Sequence, residues 1–429
     1  MESKKNDKKN DKKKIGLTTK IFVGLIAGAI VGILMHYVVP GGYLKDTILV
    51  NGVFYVVGNG FLRLMQMLVV PLVFCSLICG SAAIGDTKTL GKVGVKTLGF
   101  YLCTTALAVA VALSLANVID PGIGLNMDAI VAAENTTVAT DVSFADTLLN
   151  IIPKNPIQGL ANGEMLQIIF FAMVVGIILA KLGEKTSTVF NFFTQCNDIM
   201  MEMTMMVMSL APFGVFCLIA KTFSGIGFDA FIPLLKYMIS VLIALGIQCF
   251  GVYMIMLVVF TRLNPVKFIK KFFPVMAFAF STATSNATIP LSIETLAEKM
   301  GVSRRISSFT IPLGATINMD GTAIMQGVAV VFASQAFGIE LGIQEYLMVI
   351  ATATLASIGT AGVPGVGLIT LSMVFNSVGL PLEGITLIMG IDRILDMTRT
   401  AVNITGDAVC TTVVAHQNGE LDREVFSKN

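Results

Sequence analysis

Long apolar runs dominate the pattern of hydrophobic and polar positions along this chain. The clearest run, residues 237–260, contains no charged residue over its whole length. Comparable runs occupy 21–39, 53–80 and 95–116, and two more follow from residue 165 to the stretch LAPFGVFCLIA. A bilayer is crossed by roughly 20 apolar residues in a helix, whereas barrel strands alternate over about ten. The pattern therefore predicts about six conventional membrane-spanning helices before residue 264.

Composition supports an integral membrane protein and excludes several other classes. Of 429 residues, 55% are hydrophobic and only 13% are charged, where a soluble domain has about a quarter charged residues. The formal charge of +2 is too small for a nucleic-acid-binding protein. With two histidines and no paired Cys/His spacing, a zinc centre or a histidine proton relay is excluded.

Basic residues recur at alternate ends of the apolar runs. They are the N-terminal lysines, Lys88, Lys92, Lys96, Lys181, Lys185, Arg262, Lys267, Lys270 and Lys271. Cytoplasmic loops of membrane proteins are enriched in Lys and Arg, so these positions and both termini are predicted to be cytoplasmic. The acidic segment 120–146 is then external, and the chain is expected to be a multi-pass protein of the cell membrane.

Two later segments share a different plan. Residues 277–291 (AFAFSTATSNATIPL) and 355–369 (LASIGTAGVPGVGLI) each place small hydroxyl, Gly and Ala residues and a proline between apolar arms. Broken backbone at membrane depth is tolerated where protein buries it or where it lines an aqueous site. Each segment is predicted to be a re-entrant helical hairpin, entered from opposite sides, as in inverted repeats around a midplane site. Two ordinary loops are the alternative.

The last apolar helix carries one polar stripe, within IDRILDMTRTAVNITGD. At about 100° per residue, its polar positions gather within an arc of about 100°. They are Asp392, Asp396, Arg399, Thr400, Asn403 and Asp407. Each charge in a spanning helix costs at least about 2.5–3.5 kcal/mol, so such residues usually mark a site or pathway. Three carboxylates with one central arginine predict attraction for cations, although a structural ion-pair network is the alternative.

A second polar group interrupts the preceding helix at IPLGATINMDGT. Gly314 and Gly321 are predicted to loosen the helix and to free carbonyl groups near residues 316–319, beside the Asp320 carboxylate. Oxygen ligands without His or Cys suit Na⁺ and not transition metals. A hinge with a capped aspartate is the alternative for this motif alone.

Arg399 indicates the class of substrate. A buried guanidinium binds a carboxylate through two parallel hydrogen bonds, and Asp396 can bind an ammonium group. Ser285 and the backbone amides near Gly362 and Val363 are candidates for a second carboxylate at the hairpin tips. Two carboxylates and one amine describe glutamate or aspartate. Alternatively, Arg399 only neutralises Asp392 or Asp396.

These motifs resemble those of the dicarboxylate/amino acid:cation symporter family, which includes the excitatory amino acid transporters. The resemblance covers FLRLMQMLVVPLVF, NGEMLQIIFF, LAPFGVF, the hairpin ending in ATIP, GATINMDGT, SIGTAGVPG and DMTRTAVNITGD. It implies an all-α membrane protein of about eight transmembrane helices and two re-entrant hairpins. It also implies a homotrimer surrounded by membrane lipids, an elevator mechanism and no enzymatic activity.

The resemblance further implies a division into domains. A cytoplasmic basic tail (1–20) precedes scaffold and trimerisation helices (21–264), of which the third helix (95–116) and part of the sixth join the transport domain. The core transport domain spans 265–417 and a cytoplasmic tail spans 418–429. Within the core, the expected elements are hairpin 1 (267–300), helix 7 (306–337), hairpin 2 (343–377) and helix 8 (381–417).

Site residues follow from the same resemblance, position by position. Substrate contacts are implied for Ser285, Thr322, Val363, Asp396, Arg399, Thr400 and Asn403. One sodium site would use Asp407 with main-chain oxygens at Gly314, Asn318 and Asn403. A second would use backbone at Thr316, Met319, Ser357, Ile358 and Thr360, closing when hairpin 2 closes as the extracellular gate. A third would use Tyr101, Thr104, Thr105, Asn318 and Asp320.

Three positions depart from the family pattern. Ala283 stands where some archaeal relatives carry arginine, a charge that Arg393 is able to replace from the last helix. The hairpin tip reads Thr284-Ser285-Asn286 and not a pure serine run, and Thr398 replaces the usual glycine. The first two changes concern the substrate site; for Thr398 the sequence offers no explanation.

The residues favour sodium-coupled symport of L-glutamate or L-aspartate over several alternatives. Proton-coupled relatives tend to lack the final carboxylate, whereas Asp320 and Asp407 are both present. A C4-dicarboxylate carrier has no need of Asp396, and a neutral amino-acid carrier has no need of Arg399, while cystine stays open. The sequence does not contain the Gly-x-Gly-Asp signature of intramembrane proteases, and two gated hairpins argue against a channel. The sequence does not decide between glutamate and aspartate, nor does it give the number of sodium ions. Coupling to protons or potassium and an anion conductance stay open as well.

Overall fold

A computed structural model describes residues 17–85, 91–125, 149, 152–227, 231–358 and 366–427. Helices make up nearly all of this part of the chain, and its only extended pairing is an isolated bridge between Val302 and Leu421. The first half contains α1 (Leu17–Tyr37), α2 (Tyr55–Gly85), α3 (Gly91–Ile119), α4 (Pro156–Asn162), α5 (Met165–Leu182), α6 (Ser187–Ser209), α7 (Ala211–Ile226), α8 (Phe231–Gly246) and α9 (Tyr253–Thr261).

The second half contains the elements that carry the polar motifs. They are α10 (Pro265–Thr282), α11 (Ser285–Met300), α12 (Arg304–Ile317), α13 (Asp320–Ala336), α14 (Ile343–Ser357), α15 (Val366–Ser377), α16 (Gly384–Gln417) and α17 (Arg423–Ser427). Wider π-helical turns occupy Tyr43–Phe54 before α2 and Ile247–Val252 between α8 and α9, and a short 3₁₀ helix spans Gly183–Thr186.

Four segments of the described chain are long and apolar enough to cross a membrane. They are Thr19–Tyr37, Val93–Ile119, Gln167–Ser209 and Phe231–Thr261. Shorter apolar helices lie at Val70–Ala82, Ala211–Gly225 and Val366–Ser377. The all-helical class is therefore confirmed for the described residues, and these helices are consistent with a membrane protein; the number of spans stays a prediction.

Glycines allow α1 to approach α7 closely. A Cβ added at Gly28 would lie 2.6 Å from the carbonyl oxygen of Phe216, and one at Gly32 would lie 2.7 Å from that of Ala220. Gly24 meets the carbonyl of Pro212 in the same way. The four-residue spacing of these glycines is thus a backbone-to-backbone contact surface, as small residues are in membrane helices.

Helices α10 and α11 fold back on one another through two residues. The left-handed backbone of Ala283 (φ 51°) ends α10, and Ser285 begins α11. The Lys271 ammonium donates to the Lys299 carbonyl (2.8 Å), which holds the two far ends together. Helices α14 and α15 also pack against each other, and residues 359–365 between them lie outside the described residues. Both pairs match the bounds predicted for the hairpins, whose placement in the membrane stays a prediction.

The predicted helix 306–337 is interrupted at Asn318 and Met319, between α12 and α13. The two glycines expected to loosen it lie inside these helices, which corrects that part of the prediction. Their role is spatial: a Cβ at Gly314 would lie 2.6 Å from the Tyr101 hydroxyl, and one at Gly321 would lie 2.9 Å from the Arg399 carbonyl oxygen. The glycines let neighbouring helices reach the break.

Helix α16 is central to the second half of the molecule. It packs against α8 to α13, while α3 packs against α13 and α14. Helices α1, α2, α5, α6 and α7 pack mainly on one another. The polar stripe of α16 therefore lies at the centre of a helical group that includes α3, α8 and α9 from the first half of the chain.

Candidate functional site

Arg399 lies at the centre of a buried ion-pair cluster on α16. Its side chain is 1% exposed; Nη1 donates to Asp392 Oδ1 (2.8 Å) and Nη2 donates to Asp396 Oδ1 (2.9 Å). The three residues come from one face of one helix, as the stripe predicted. The structure therefore shows the neutralising contacts that the sequence left as an alternative role for Arg399. Its Nε is buried and makes no hydrogen bond within the described chain.

Two other helices close over the guanidinium. A Cβ added at Gly367 of α15 would lie 3.2 Å from Arg399 Nη2 and 3.2 Å from Thr322 Cγ2 of α13. The absence of a side chain at Gly367 thus lets the arm of the predicted second hairpin contact the charged group. Thr322 and Thr400, both predicted substrate residues, lie in this cluster; the Thr400 hydroxyl donates to the Asp396 carbonyl (2.8 Å).

A cavity of about 20 Å³ borders Asp392 and Asp396. Apolar residues line the rest of it, among them Phe61 of α2, Leu368 of α15 and Met389 of α16. This volume holds about one water molecule. A molecule the size of an amino acid does not fit in this cavity.

Asp407 lies one turn beyond Asn403 on α16, against the break between α12 and α13. Asn318 Nδ2 donates to Asp407 Oδ1 (2.8 Å) and to the carbonyl of Asn403 (3.0 Å). The Asn403 Oδ1 accepts from the Gly321 amide (2.7 Å). The Asn318 Oδ1 is buried and accepts no hydrogen bond within the described residues. An amide oxygen without a donor, next to a carboxylate, is a suitable ligand for a hard cation.

Asp320 is the centre of a second carboxylate cluster and is fully buried. Its Oδ1 accepts from the Thr105 hydroxyl (2.5 Å), and its Oδ2 accepts from the Tyr253 hydroxyl (2.7 Å) and Gln248 Nε2 (3.0 Å). The donors come from α3 and from the α8–α9 stretch. Helix α13 thus begins with a carboxylate held by neutral groups from two other helices.

Neither Asp320 nor Asp407 has a Lys, Arg or His partner in the part of the chain that the structure describes. Burying a carboxylate without a partner is costly. The groups that hydrogen-bond to the two carboxylates are hydroxyls and amides, and within the same residues no group of three His, Cys, Asp or Glu is placed to hold a metal. The donor set therefore fits Na⁺ and not a transition metal.

The structure brings together most of the predicted cation ligands. Gly314, Asn318, Asn403 and Asp407 meet in one cluster, and Tyr101, Thr105 and Asp320 meet in the next. The Thr104 carbonyl lies 3.5 Å from Gln248 Nε2, and Met319 Sδ accepts from Asn403 Nδ2 (3.3 Å).

The remaining predicted residues are placed less directly. Thr316 donates to the Leu313 carbonyl (2.9 Å), and Ser285 is buried at the first position of α11, which packs against α16. Ser357 and Ile358 are buried where α14 ends. Thr360 and Val363 lie outside the described residues, and the side chain of Arg393 does too.

Sequence reasoning missed Gln248 and Tyr253, which bind Asp320. Both occur within the uncharged run 237–260, a pattern that by itself predicts only a membrane span. A signal for them existed: polar groups in an otherwise apolar span need a partner inside the protein. The π-helical turn Ile247–Val252 carries Gln248, and such turns are frequent at functional sites.

Comparison with known proteins gives an independent result. Residues 17–417 match the profile of the sodium:dicarboxylate symporter family. The chain belongs to this family. A proton/sodium-glutamate symport protein of Bacillus caldotenax is 37% identical over 422 residues, covering 96% of both chains. An excitatory amino acid transporter of Caenorhabditis elegans is 34% identical, covering 85% of this chain and 82% of its own. A C4-dicarboxylate transport protein of Bacillus subtilis is 31% identical, covering 95% and 94%.

Membership confirms several predictions. The family and these relatives are transporters and not enzymes, so the chain is a membrane symporter that moves its substrate together with a cation. The names of these relatives include two cations, proton and sodium, and two kinds of substrate, glutamate and C4-dicarboxylate. Which cation and which substrate this symporter uses must therefore be inferred from its own residues.

Proposed function

We propose that the chain is a secondary active symporter that couples Na⁺ entry to the uptake of L-glutamate or L-aspartate. The observation that carries this proposal is the pair of buried carboxylates, Asp320 and Asp407, which have no basic partner in the described chain. Each is surrounded by neutral oxygen and amide groups. Two such carboxylates at adjoining positions require cations to balance them, and Na⁺ suits oxygen ligands.

The hydrogen bonds at Asp320 favour a metal cation over a proton. Three donors, from Thr105, Gln248 and Tyr253, point at the carboxylate. Such donors stabilise the ionised form, which is the form that binds a metal cation. The buried, unpaired Asn318 Oδ1 supplies a ligand that Na⁺ uses and that a proton on Asp407 does not need.

The Arg399 cluster supports an acidic amino acid as substrate. Arg399 is paired with Asp392 and Asp396 at the same time. We expect the substrate to exchange these contacts: its side-chain carboxylate takes Arg399, and its ammonium group takes Asp396 as that residue is released. A C4-dicarboxylate has no amine to bind Asp396. A neutral amino acid has no side-chain carboxylate to bind Arg399, which would stay paired with Asp392. Ser285, Thr322, Val363, Thr400 and Asn403 complete the proposed substrate site.

The proposed transport domain is the helical group around α16. It comprises residues 265–417 with α3 and part of the α8–α9 stretch, since α3 and α8 pack against α13 and α16. Helices α1, α2, α5, α6 and α7 form the proposed scaffold, through which three copies assemble. The 20 Å³ cavity at Asp392 is lined from both groups, by Ile21 and Phe61 on one side and by Leu368 on the other. Its mainly apolar walls suit one group sliding past the other as an elevator.

Uptake into proteoliposomes under separately imposed gradients tests the proposal. Radiolabelled glutamate, aspartate, succinate, serine and cystine are supplied with an inward sodium gradient, an inward proton gradient, or neither. We expect the sodium gradient to drive glutamate or aspartate uptake and the proton gradient alone to fail. Uptake driven by protons without sodium overturns sodium coupling. Preference for succinate, serine or cystine overturns the substrate assignment.

A further inference from the structure

A cavity of about 510 Å³ opens on the molecular surface between α9 and α10. Phe250 and Met254 line one side, and Val266, Ile269 and Phe273 line the other, with Lys270 among them. The volume lies within the roughly 300–1,000 Å³ typical of ligand sites. The cavity lies outside the Arg399 and aspartate clusters, so the symport site does not account for it.

The apolar walls of this cavity are exposed. Phe250, Val266 and Phe273 are 63%, 73% and 61% exposed, whereas Phe268 and Phe272 on the opposite face of α10 are fully buried. An open apolar surface marks a protein or membrane interaction site, and the helices proposed for assembly of the three copies do not include α9 or α10. The occupant of the cavity therefore comes from the bilayer.

Lys270 differs from the two neighbouring lysines of α10. The Lys267 ammonium donates to the Ser427 carbonyl (2.6 Å), and that of Lys271 donates to the Phe426 carbonyl (2.8 Å). Backbone carbonyls of the C-terminal helix α17 thus bind both of these ammonium groups. Lys270 is exposed and makes no hydrogen bond or ion pair with the described residues, and it lines the cavity. Its positive charge is available to a ligand there.

We propose that this cavity binds an anionic phospholipid of the cytoplasmic leaflet. One acyl chain lies between Phe250 and Phe273, and the headgroup binds the Lys270 ammonium. The long lysine stem packs along apolar surface while its charge reaches the headgroup region. Helix α10 begins three residues after Arg262, at the end where basic residues cluster, and basic pockets between membrane helices on this side bind anionic headgroups.

Tryptophan fluorescence in reconstituted membranes tests the proposal. The native chain has no tryptophan, so Phe273→Trp places a single probe in the cavity wall. The variant is reconstituted in bilayers that contain either brominated phosphatidylglycerol or brominated phosphatidylcholine, whose bromines quench a tryptophan in contact. We expect phosphatidylglycerol to bind about fivefold more tightly, as one lysine near an anionic headgroup implies. Adding Lys270→Gln should abolish this preference.

Matched variants control the experiment. Lys270→Arg should keep the preference, and Lys185→Gln, an exposed lysine on the short 3₁₀ helix, should leave it unchanged. A probe at Ile255, exposed on α9 and outside the cavity lining, should show equal quenching by both lipids. Equal quenching at Phe273→Trp would mean ordinary bilayer contact and would overturn the proposal. A preference that survives Lys270→Gln would overturn the role of that residue.

Discussion

Two clusters of buried charge lie on α16 or against it, and they differ in how their charge is balanced. Around Arg399, the protein supplies both signs, because one guanidinium holds Asp392 and Asp396 at 2.8 and 2.9 Å. Around Asp320 and Asp407, it supplies carboxylates and neutral donors, with no basic partner in the described chain. At the first cluster the two carboxylates share one basic partner, which offsets one of their two charges. At the second cluster the carboxylates have no basic partner in the described chain, and we propose that a cation supplies the missing charge.

This difference assigns the two clusters different roles in binding. A ligand at Arg399 has to displace an existing ion pair, so it must provide equivalent charges in equivalent positions. A cation at Asp320 or Asp407 displaces no protein charge and relieves the cost of two buried carboxylates. We therefore propose that substrate selectivity depends on exchange of the Arg399 ion pairs, and that cation binding depends on carboxylate charge for which the protein supplies no basic partner.

The largest effect is expected from Asp407→Asn. The new amide still accepts from Asn318, but the cation loses its charged ligand. Removing one partner of a buried charge pair costs about 3–5 kcal/mol, so the half-saturating sodium concentration should rise by at least about 100-fold. The measurement is initial uptake at graded sodium concentrations in proteoliposomes.

Asp392→Asn is the matched control for this prediction. It makes the same chemical change on the same helix, but at a carboxylate that binds Arg399. We expect substrate affinity to change in this variant, with little change in the half-saturating sodium concentration. Equal sodium effects in the two variants would show that the clusters do not have separate roles.

Arg399→Cys should lower the affinity for acidic substrates more than the affinity for the cation. Without the guanidinium, a side-chain carboxylate has no cationic partner, and acidic substrates should bind about 100-fold less tightly, a loss of several kcal/mol. Serine should lose little, since Asp396 is then free to bind its amine. Aspartate and serine binding are compared on the same purified variant. An equal loss for both substrates would mean that Arg399 only holds the fold.

Two buried tyrosines in the α8–α9 stretch allow the effect of one hydrogen bond to be measured. Tyr237 and Tyr253 are both fully buried, but only Tyr253 donates to Asp320, and the Tyr237 hydroxyl has no partner among the described residues. Loss of an outer partner of a cation ligand typically costs about 10–100-fold in affinity. In a sodium titration, the half-saturating sodium concentration should rise about tenfold for Tyr253→Phe and hardly change for Tyr237→Phe. The reverse order would exclude Asp320 from cation binding.

The smallest effect is expected from Gly367→Ala. The added methyl would lie 3.2 Å from Arg399 Nη2 and Thr322 Cγ2, so the helices must shift slightly and substrate affinity should fall by a few-fold, about 1 kcal/mol. Gly384→Ala is the control, because its methyl would be equally close to Ala333, Phe337 and Phe375, away from the charges. Isothermal titration with aspartate should separate the two variants. Identical affinities would show that α15 does not contact the substrate site.

Much of the fold and site is predictable because polar residues in spans are costly. The stripe of α16 and an interruption within IPLGATINMDGT follow from period and composition, and the structure has both. The same cost applied to single polar residues would have found Gln248 and Tyr253. The sequence leaves open whether Arg399 binds a substrate or neutralises Asp392 or Asp396, and the structure shows it paired with both aspartates.

Other features depend on packing that a sequence pattern does not contain. Gly314 and Gly321 suggested a loosened helix, but their function is to admit the Tyr101 hydroxyl and the Arg399 backbone. Ala283 was noted for the side chain it lacks, whereas its structural role is a left-handed turn at φ 51°. Lys267, Lys270 and Lys271 looked equivalent as basic residues, and the position of α17 separates them.

The most direct test of the account measures sodium and substrate movement in the same vesicles. Proteoliposomes with the wild-type chain receive ²²Na⁺ and a radiolabelled acidic amino acid under a shared membrane potential, and both isotopes are counted over time. The account predicts that aspartate or glutamate stimulates ²²Na⁺ entry in a fixed ratio to its own uptake, and that Asp407→Asn reduces this entry. Substrate uptake with no accompanying ²²Na⁺ entry would contradict it.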